Sequence, residues 1–86
     1  QQNIRKHGID FRRAALIFKG VVLSVVDNRA DYKEIRKRSI GRVDDMLVVV
    51  VVHTNRRGIV RIISARPASR KERKDYESYL EKKKLH

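Results

Sequence analysis

The stretch that most constrains this chain is MLVVVVVHT, residues 46–54. Valine is stiff at χ1 and packs well on a pleated surface, so five in a row predict a strand rather than a helix. The run does not alternate apolar with polar positions, which predicts a central strand covered on both faces. Its seven consecutive apolar residues, Met46–Val52, fall far short of the roughly 18–20 a membrane-spanning helix needs. A fold built on this strand therefore requires a pairing neighbour on each side and a layer over each face.

Those neighbours are legible in the flanks. YKEIRKRSI, 32–40, reads as a charged strand leading into it, and VVLSVV, 21–26, as a short strand before that. IVRIISAR, 59–66, reads as the returning strand after a turn at TNRRGI, where Asn55 suits the first position of a type I turn and Gly58 the left-handed residue that follows. The covering layers are helical. QNIRKHG ends like a helix, with Lys6 and His7 in its last turn and Gly8 at the left-handed cap. Asp10 is a plausible N-cap for FRRAALIF, in which Phe11, Ala14, Ala15 and Phe18 share a face. Ser69-Arg70-Lys71-Glu72 is a capping box opening a last helix with Tyr76, Tyr79 and Leu80 as its apolar stripe. Residues 81–86 form a polar tail expected to fray. The expected fold class is α+β: short N-terminal helices, an antiparallel meander of three or four strands, and a C-terminal helix.

With 86 residues the chain is expected to form one domain, 1–86, with a small core. It opens at Gln1 without a methionine, so a further segment is expected before residue 1. The absence of cysteine excludes disulfides and thiolate-held metal, and a cytoplasmic location is expected. His7, His53 and His86 lack ligand spacing and no carboxylate cluster suits magnesium, so neither metal nor cofactor is expected. The net charge of +12 points to a polyanionic partner, either nucleic acid or an acidic protein, and no amphipathic basic helix points to a membrane.

Hairpin arithmetic gathers these cations. A turn at 42–45 pairs Gly41 with Met46, placing Arg36 opposite Val51 and Glu34 opposite His53, so Glu34, Arg36, Arg38 and His53 share one side. The second hairpin, pairing Asn55 with Ile59, sets Arg61 opposite His53; a register shifted by one puts Ser64 and Arg66 there instead. Arginines on an open antiparallel face are commonly solvated or paired with carboxylates, and a lone histidine is more often structural than catalytic. Grouped arginines, however, can grip phosphate, because the rigid guanidinium fork matches its oxygens.

Several of these pieces together resemble a known family. NIRKHGIDF with RRAALIF, then Glu34-Ile35-Arg36 and Ile40-Gly41, then LVVVVVHT and GIVRIISARPASRKERKDYE, are similar to the BrnT-type ribonuclease toxins of bacterial type II toxin–antitoxin systems. The resemblance runs from Asn3 to about Tyr79, and its most specific parts are Lys6-His7-Gly8 and Ile63–Arg66 followed by the capped helix. It implies a RelE-like fold and a metal-independent endoribonuclease that inhibits translation. It also implies a DNA-binding, BrnA-like antitoxin that neutralises the toxin, with operator DNA reached only through the complex. Catalytic roles are then expected for Arg36, Arg66, His53, Glu34 and His7, and RNA-phosphate contacts for Lys6, Arg61 and Arg38. Two departures stand out: relatives carry a short strand before the point where this sequence starts, and many have a second acidic residue where Ile35 stands. Two other readings fit the same residues, a catalytically degenerate toxin acting as an antitoxin-binding co-repressor and a small basic RNA-binding protein.

Overall fold

A computed structural model describes residues 9–27 and 35–84. The element order follows from local chemistry. Asp10 caps α1 (Phe11–Ala14), its carboxylate accepting from the Arg12 N–H at 3.0 Å. The chain then tightens into a 3₁₀ helix, Ala15–Lys19, which stops at Gly20. The tighter winding changes which residues face inward. Ala14 and Ile17, three apart, are fully buried, whereas Ala15 is exposed and Phe11 and Phe18 are half-buried. The expected four-residue stripe is therefore only partly realised. The helix end expected at Lys6–Gly8 lies outside the described residues.

Four strands follow: β1 (Leu23–Val26), β2 (Arg36–Arg42), β3 (Val48–Arg56) and β4 (Ile59–Pro67). They form one antiparallel sheet in the order β1-β2-β3-β4. A final helix, α2 (Arg70–Lys84), completes an α+β fold. Its capping box forms as the sequence predicts: Glu72 N–H donates to Ser69 Oγ at 3.2 Å and Ser69 N–H to Glu72 Oε1 at 2.8 Å. The helix runs on through Lys84, past the point where fraying was expected. Its last-turn cations Lys82, Lys83 and Lys84 suit the negative end of the helix dipole.

The valine run is covered on both faces, as its lack of alternation requires. On one face Val49 and Val51 pack with Ile9, Ala14, Ile17 and Ala65 under the N-terminal helices. On the other, Val50 and Ile40 pack with Tyr76 of α2, whose hydroxyl donates to the Val21 carbonyl at 2.8 Å. Each fully buried valine contributes about 1.5–3 kcal/mol of burial energy, which makes β3 the spine of the fold. Gly41 is what lets the 3₁₀ helix come this close, since a Cβ there would sit 2.6 Å from Ile17 Cβ.

Both hairpins depart from the expected register. The first turn closes at Arg42–Val48, so Gly41 faces Val49, not Met46. The turn is longer because the Asp44 carboxylate accepts from the Met46 and Leu47 N–H groups and holds Arg13 at 2.7 Å, while Val43 N–H donates to the Leu47 carbonyl. The register moves by an odd number of residues, and that exchanges the faces: Arg36 lies opposite Thr54 and Lys37 opposite His53. The second turn holds only Arg57 and Gly58, both at positive φ (54° and 81°), the signature of a type I′ hairpin. It pairs Arg56 with Ile59 and Asn55 with Val60.

Candidate active site

Residues directly opposite one another share a face, so the observed register sorts every candidate. The face nearer α2 carries three cross-strand rows. Arg36, Thr54 and Arg61 form the row closest to the β3–β4 turn. Arg38, Val52 and Ser64 form the next, and Ile40, Val50 and Arg66 the third. Arg61 and Arg66 are five residues apart and would point to opposite faces of a regular strand. A β-bulge between Val52 and His53 absorbs one extra residue on β4, since Val52 pairs with Ser64 and His53 with Ile62. The bulge re-aims the strand so that four arginines, Arg36, Arg38, Arg61 and Arg66, occupy a single face.

The helix covers only part of that face. Among the described residues α2 packs on the third row, through Ile40 and Val50, and leaves the turn end open. There Arg36, Thr54, Arg61, Ile62 and Ile63 line a pocket of about 380 Å³. Thr54 is 2% exposed and forms its floor, with Arg61 exposed and Arg36 half-buried on either side. Strands lie about 4.8 Å apart, so Arg36 and Arg61 straddle Thr54 roughly 10 Å apart at the backbone, within reach of one anion for two long side chains. Arg38 lines a second groove, of about 500 Å³, with Arg66, Ser69, Lys71, Glu72 and Asp75.

Arg66 differs from the others. Its Nη1 and Nη2 donate to the two Glu72 oxygens at 2.7 and 2.8 Å, a bidentate pair that ties β4 to the first turn of α2. This guanidinium, followed by the capping bonds from Ser69, holds the Glu72 carboxyl down at about 2, against the opposing effect of its burial. The sequence showed Glu72 as a cap; that it also engages Arg66 emerges only once the strand and the helix are docked.

His53 lies on the other face, which corrects the expectation that it joins Arg36 and Glu34. It is 5% exposed, edge-on to Phe18 at 5.0 Å between ring centroids. Its Nε2 is hydrogen-bonded to Ser39 Oγ at 2.7 Å, and Ser39 in turn to Ser24 Oγ at 2.7 Å. Burial, with a smaller push from Lys37, lowers the pKa of His53 and keeps the ring neutral. Its Nδ1 is buried with no hydrogen-bond partner among the described residues. The expectation that Arg61 lies opposite His53 is corrected too, because Ile62 holds that position. Lys6, His7 and Glu34 lie outside the described residues. Among those described, no group of three His, Asp or Glu side chains is placed to hold a metal ion, and no helix is long and apolar enough to cross a membrane.

A basic, half-open sheet face is common to many binding proteins, so comparison with known families decides between them. The family model described as the ribonuclease toxin BrnT of type II toxin–antitoxin systems matches residues 1–72. The chain belongs to the BrnT family. No curated protein matches its sequence. As a BrnT-family toxin it is a ribonuclease with an RNA target and a cognate antitoxin. The match spans α1 and all four strands and ends at Glu72, so it contains every arginine of the open face.

Proposed function

We propose that this chain is a metal-independent endoribonuclease whose phosphate clamp is the Arg36–Thr54–Arg61 row, with Arg38 alongside. The observation that supports it most is the bulge: without that extra residue Arg61 and Arg66 would lie on opposite faces, and the row with Arg36 and Thr54 would not coexist with the strut to Glu72.

Cleavage of RNA without metal has three demands. The 2′-hydroxyl loses its proton and attacks the adjacent phosphorus; the phosphate gains charge as it becomes five-coordinate; the 5′-oxygen leaves and takes up a proton. The products are a 2′,3′-cyclic phosphate and a 5′-hydroxyl. Arg36 and Arg61 meet the second demand, because two guanidiniums lining one pocket offer donors where negative charge develops. Arg38 carries the adjoining phosphate. Arg66 serves this reading chiefly as a strut, since Glu72 engages its fork. His53 is assigned to the core, because its ring is buried, neutral and on the far face. Proton transfer is left to His7 and Glu34, with Lys6 as a further cation, as the family resemblance implies. The reading extends to loss of translation through RNA cleavage, and to a BrnA-like, DNA-binding antitoxin that neutralises the toxin and carries it to operator DNA.

The test is cleavage of an end-labelled RNA by the purified chain in EDTA, beside the same strand with deoxyribose at the cut position. Cleavage that survives EDTA, leaves a cyclic phosphate and stops at the deoxy position is the expected result. Cleavage restored only by added divalent metal would overturn metal independence. Cleavage of the deoxy strand would overturn the 2′-hydroxyl mechanism.

A further inference from the structure

The groove that adjoins the arginine pocket changes character from one side to the other. Arg38 stands two residues along β2 from Arg36 on the same face, roughly 7 Å away, close to one phosphate-to-phosphate step of an extended RNA strand. Beyond Arg38 the groove is floored by apolar side chains: half-buried Leu23, Val25 at 41% exposure and buried Ile40. Leu23 and Val25 lie opposite Ile40 and Arg38, so this floor belongs to the arginine face. The far wall is α2, which brings Lys71 and Asp75 to the groove four residues apart, on one side of the helix. These walls are all made of described residues, and Ile9, where the described chain begins, packs on the opposite face.

An apolar floor with a few polar groups at one rim is the make-up of a ligand pocket rather than of a charged track. Glu72 at that rim is engaged by both terminal nitrogens of Arg66. Asp75 is exposed, and among the described residues neither it nor Lys71 forms an ion pair. A carboxylate only accepts hydrogen bonds and an ammonium only donates them. Guanine is the RNA base whose Watson–Crick edge sets two N–H donors side by side, at N1 and N2, next to the O6 acceptor. Adenine and cytosine offer a carboxylate one amino group, and uracil offers one imino N–H.

We propose that this groove is a base subsite for guanine, belonging to the nucleotide whose phosphate meets Arg38, with Asp75 accepting from N1 and N2 and Lys71 donating to O6. The inference rests on the reading above in one respect, that Arg36 and Arg38 lay the RNA backbone along β2. Unstacked bases of single-stranded RNA are read on this edge, and the Leu23–Val25–Ile40 floor takes the face of the ring. Asp75 touches the base and not the reacting atoms, so it selects sequence. A carboxylate beside a phosphate chain opposes binding by charge alone. Removing Asp75 therefore acts in two directions, relieving repulsion for every base while abolishing the preference for guanine.

The test is binding of labelled uracil pentamers with 2′-deoxy sugars, which a 2′-hydroxyl mechanism does not cut. The central base is uracil, guanine, adenine, cytosine or hypoxanthine, which is guanine without its N2 amino group. The proteins are the full chain, Asp75→Asn, and Asp45→Asn as an exposed acidic control at the first turn. Wild type is expected to bind the guanine strand at least about fivefold tighter than the hypoxanthine or uracil strand. Asp75→Asn is expected to lose that ratio, to bind the all-uracil strand no more weakly than wild type, and to keep the wild-type thermal midpoint. Asp45→Asn is expected to keep the ratio. Equal affinity of wild type for every strand, or no binding to any, overturns the subsite. A guanine preference that survives Asp75→Asn overturns the role of Asp75, and a preference for adenine or cytosine overturns guanine as the ligand. Unchanged base preference with altered antitoxin affinity in Asp75→Asn overturns the subsite too, and assigns the groove to the antitoxin. Failure of wild type to cleave RNA counts against the ribonuclease reading alone, since these strands report binding without cleavage.

Discussion

The two faces of the sheet treat their polar residues in opposite ways, although a single strand supplies both. On the N-terminal helix face, β3 contributes Val49, Val51 and then His53, whose ring is buried against Phe18 and bonded to the Ser39–Ser24 pair. The side chains of Ser24, Ser39 and His53 bond to one another there. On the other face the same strand contributes Val50, Val52 and then Thr54, which floors a pocket open to water between Arg36 and Arg61. Burial excludes charge, so the sealed face keeps a neutral imidazole; partial cover by α2 leaves Arg61 exposed and Arg36 half-buried beside the pocket. Among the described residues the grouped arginines lie on the second face. On the proposed reading, the useful cations of this basic chain are picked out by what the helices leave uncovered, rather than by cation number.

Two stability measurements sharpen that contrast, the larger first. Glu72 marks where the arginine face passes under α2. Its carboxyl is lowered from 4.5 to about 2, chiefly by Arg66, so its stabilising effect is complete above pH 4.5 and is lost as pH falls toward 2. Arg66 is 36% exposed, and solvent screens the pair. Allowing for that, Glu72→Gln is expected to cost about 2 kcal/mol at neutral pH, with the gap to wild type closing as pH falls toward 2. Denaturant melts at several pH values check this. RNA cleavage measured where both proteins are folded is expected to change little; a loss of cleavage beyond the loss of folded protein would return Arg66 to the catalytic group.

The smaller effect lies on the sealed face. His53 has a lowered pKa in the fold, so the native ring is neutral, while the unfolded chain takes up a proton near the ordinary value of 6.5. Stability is therefore full above that pH and declines as pH drops through it, levelling off below the folded pKa. Thermal midpoints between pH 8 and 5 are expected to fall for wild type and to flatten in His53→Gln. A wild-type midpoint that does not fall over this range would mean that the face admits a charged imidazole.

Much of this was legible in the sequence because it depends on local pattern. The valine run, the Asp10 cap and the Ser69–Glu72 capping box each specify their element within a few residues, and the α+β order follows from them. What the sequence concealed was register. Asp44 lengthens the first turn by binding two backbone N–H groups, and Arg57 adopts a left-handed conformation that arginine seldom takes. Each shift is odd, and an odd shift exchanges the faces of a strand. Arg36, Arg38 and Arg61 share one face as the sequence predicts, whereas the odd shift puts His53 on the other. The bulge had no signal in the residues of β4. It puts Arg61 and Arg66 on one face, whereas the sequence alone allows either one or both there. Ser39 and Ser24 carried no chemical motif and gain meaning only as partners of the buried ring.

Arg36 and Lys37 allow the most direct test of the central claim, that the face rather than the charge makes the site. They are adjacent on β2, each carries one positive charge, and they point to opposite faces, Arg36 opposite Thr54 and Lys37 opposite His53. The measurement is the RNA cleavage rate of Arg36→Ala beside Lys37→Ala, each with its thermal midpoint. The account predicts a loss of about 10²–10³-fold for Arg36→Ala, typical of removing one transition-state donor, with Lys37→Ala within a few fold of wild type. Equal losses would show that net charge alone governs cleavage, and a greater loss at Lys37 would place the chemistry on the face assigned here to the core.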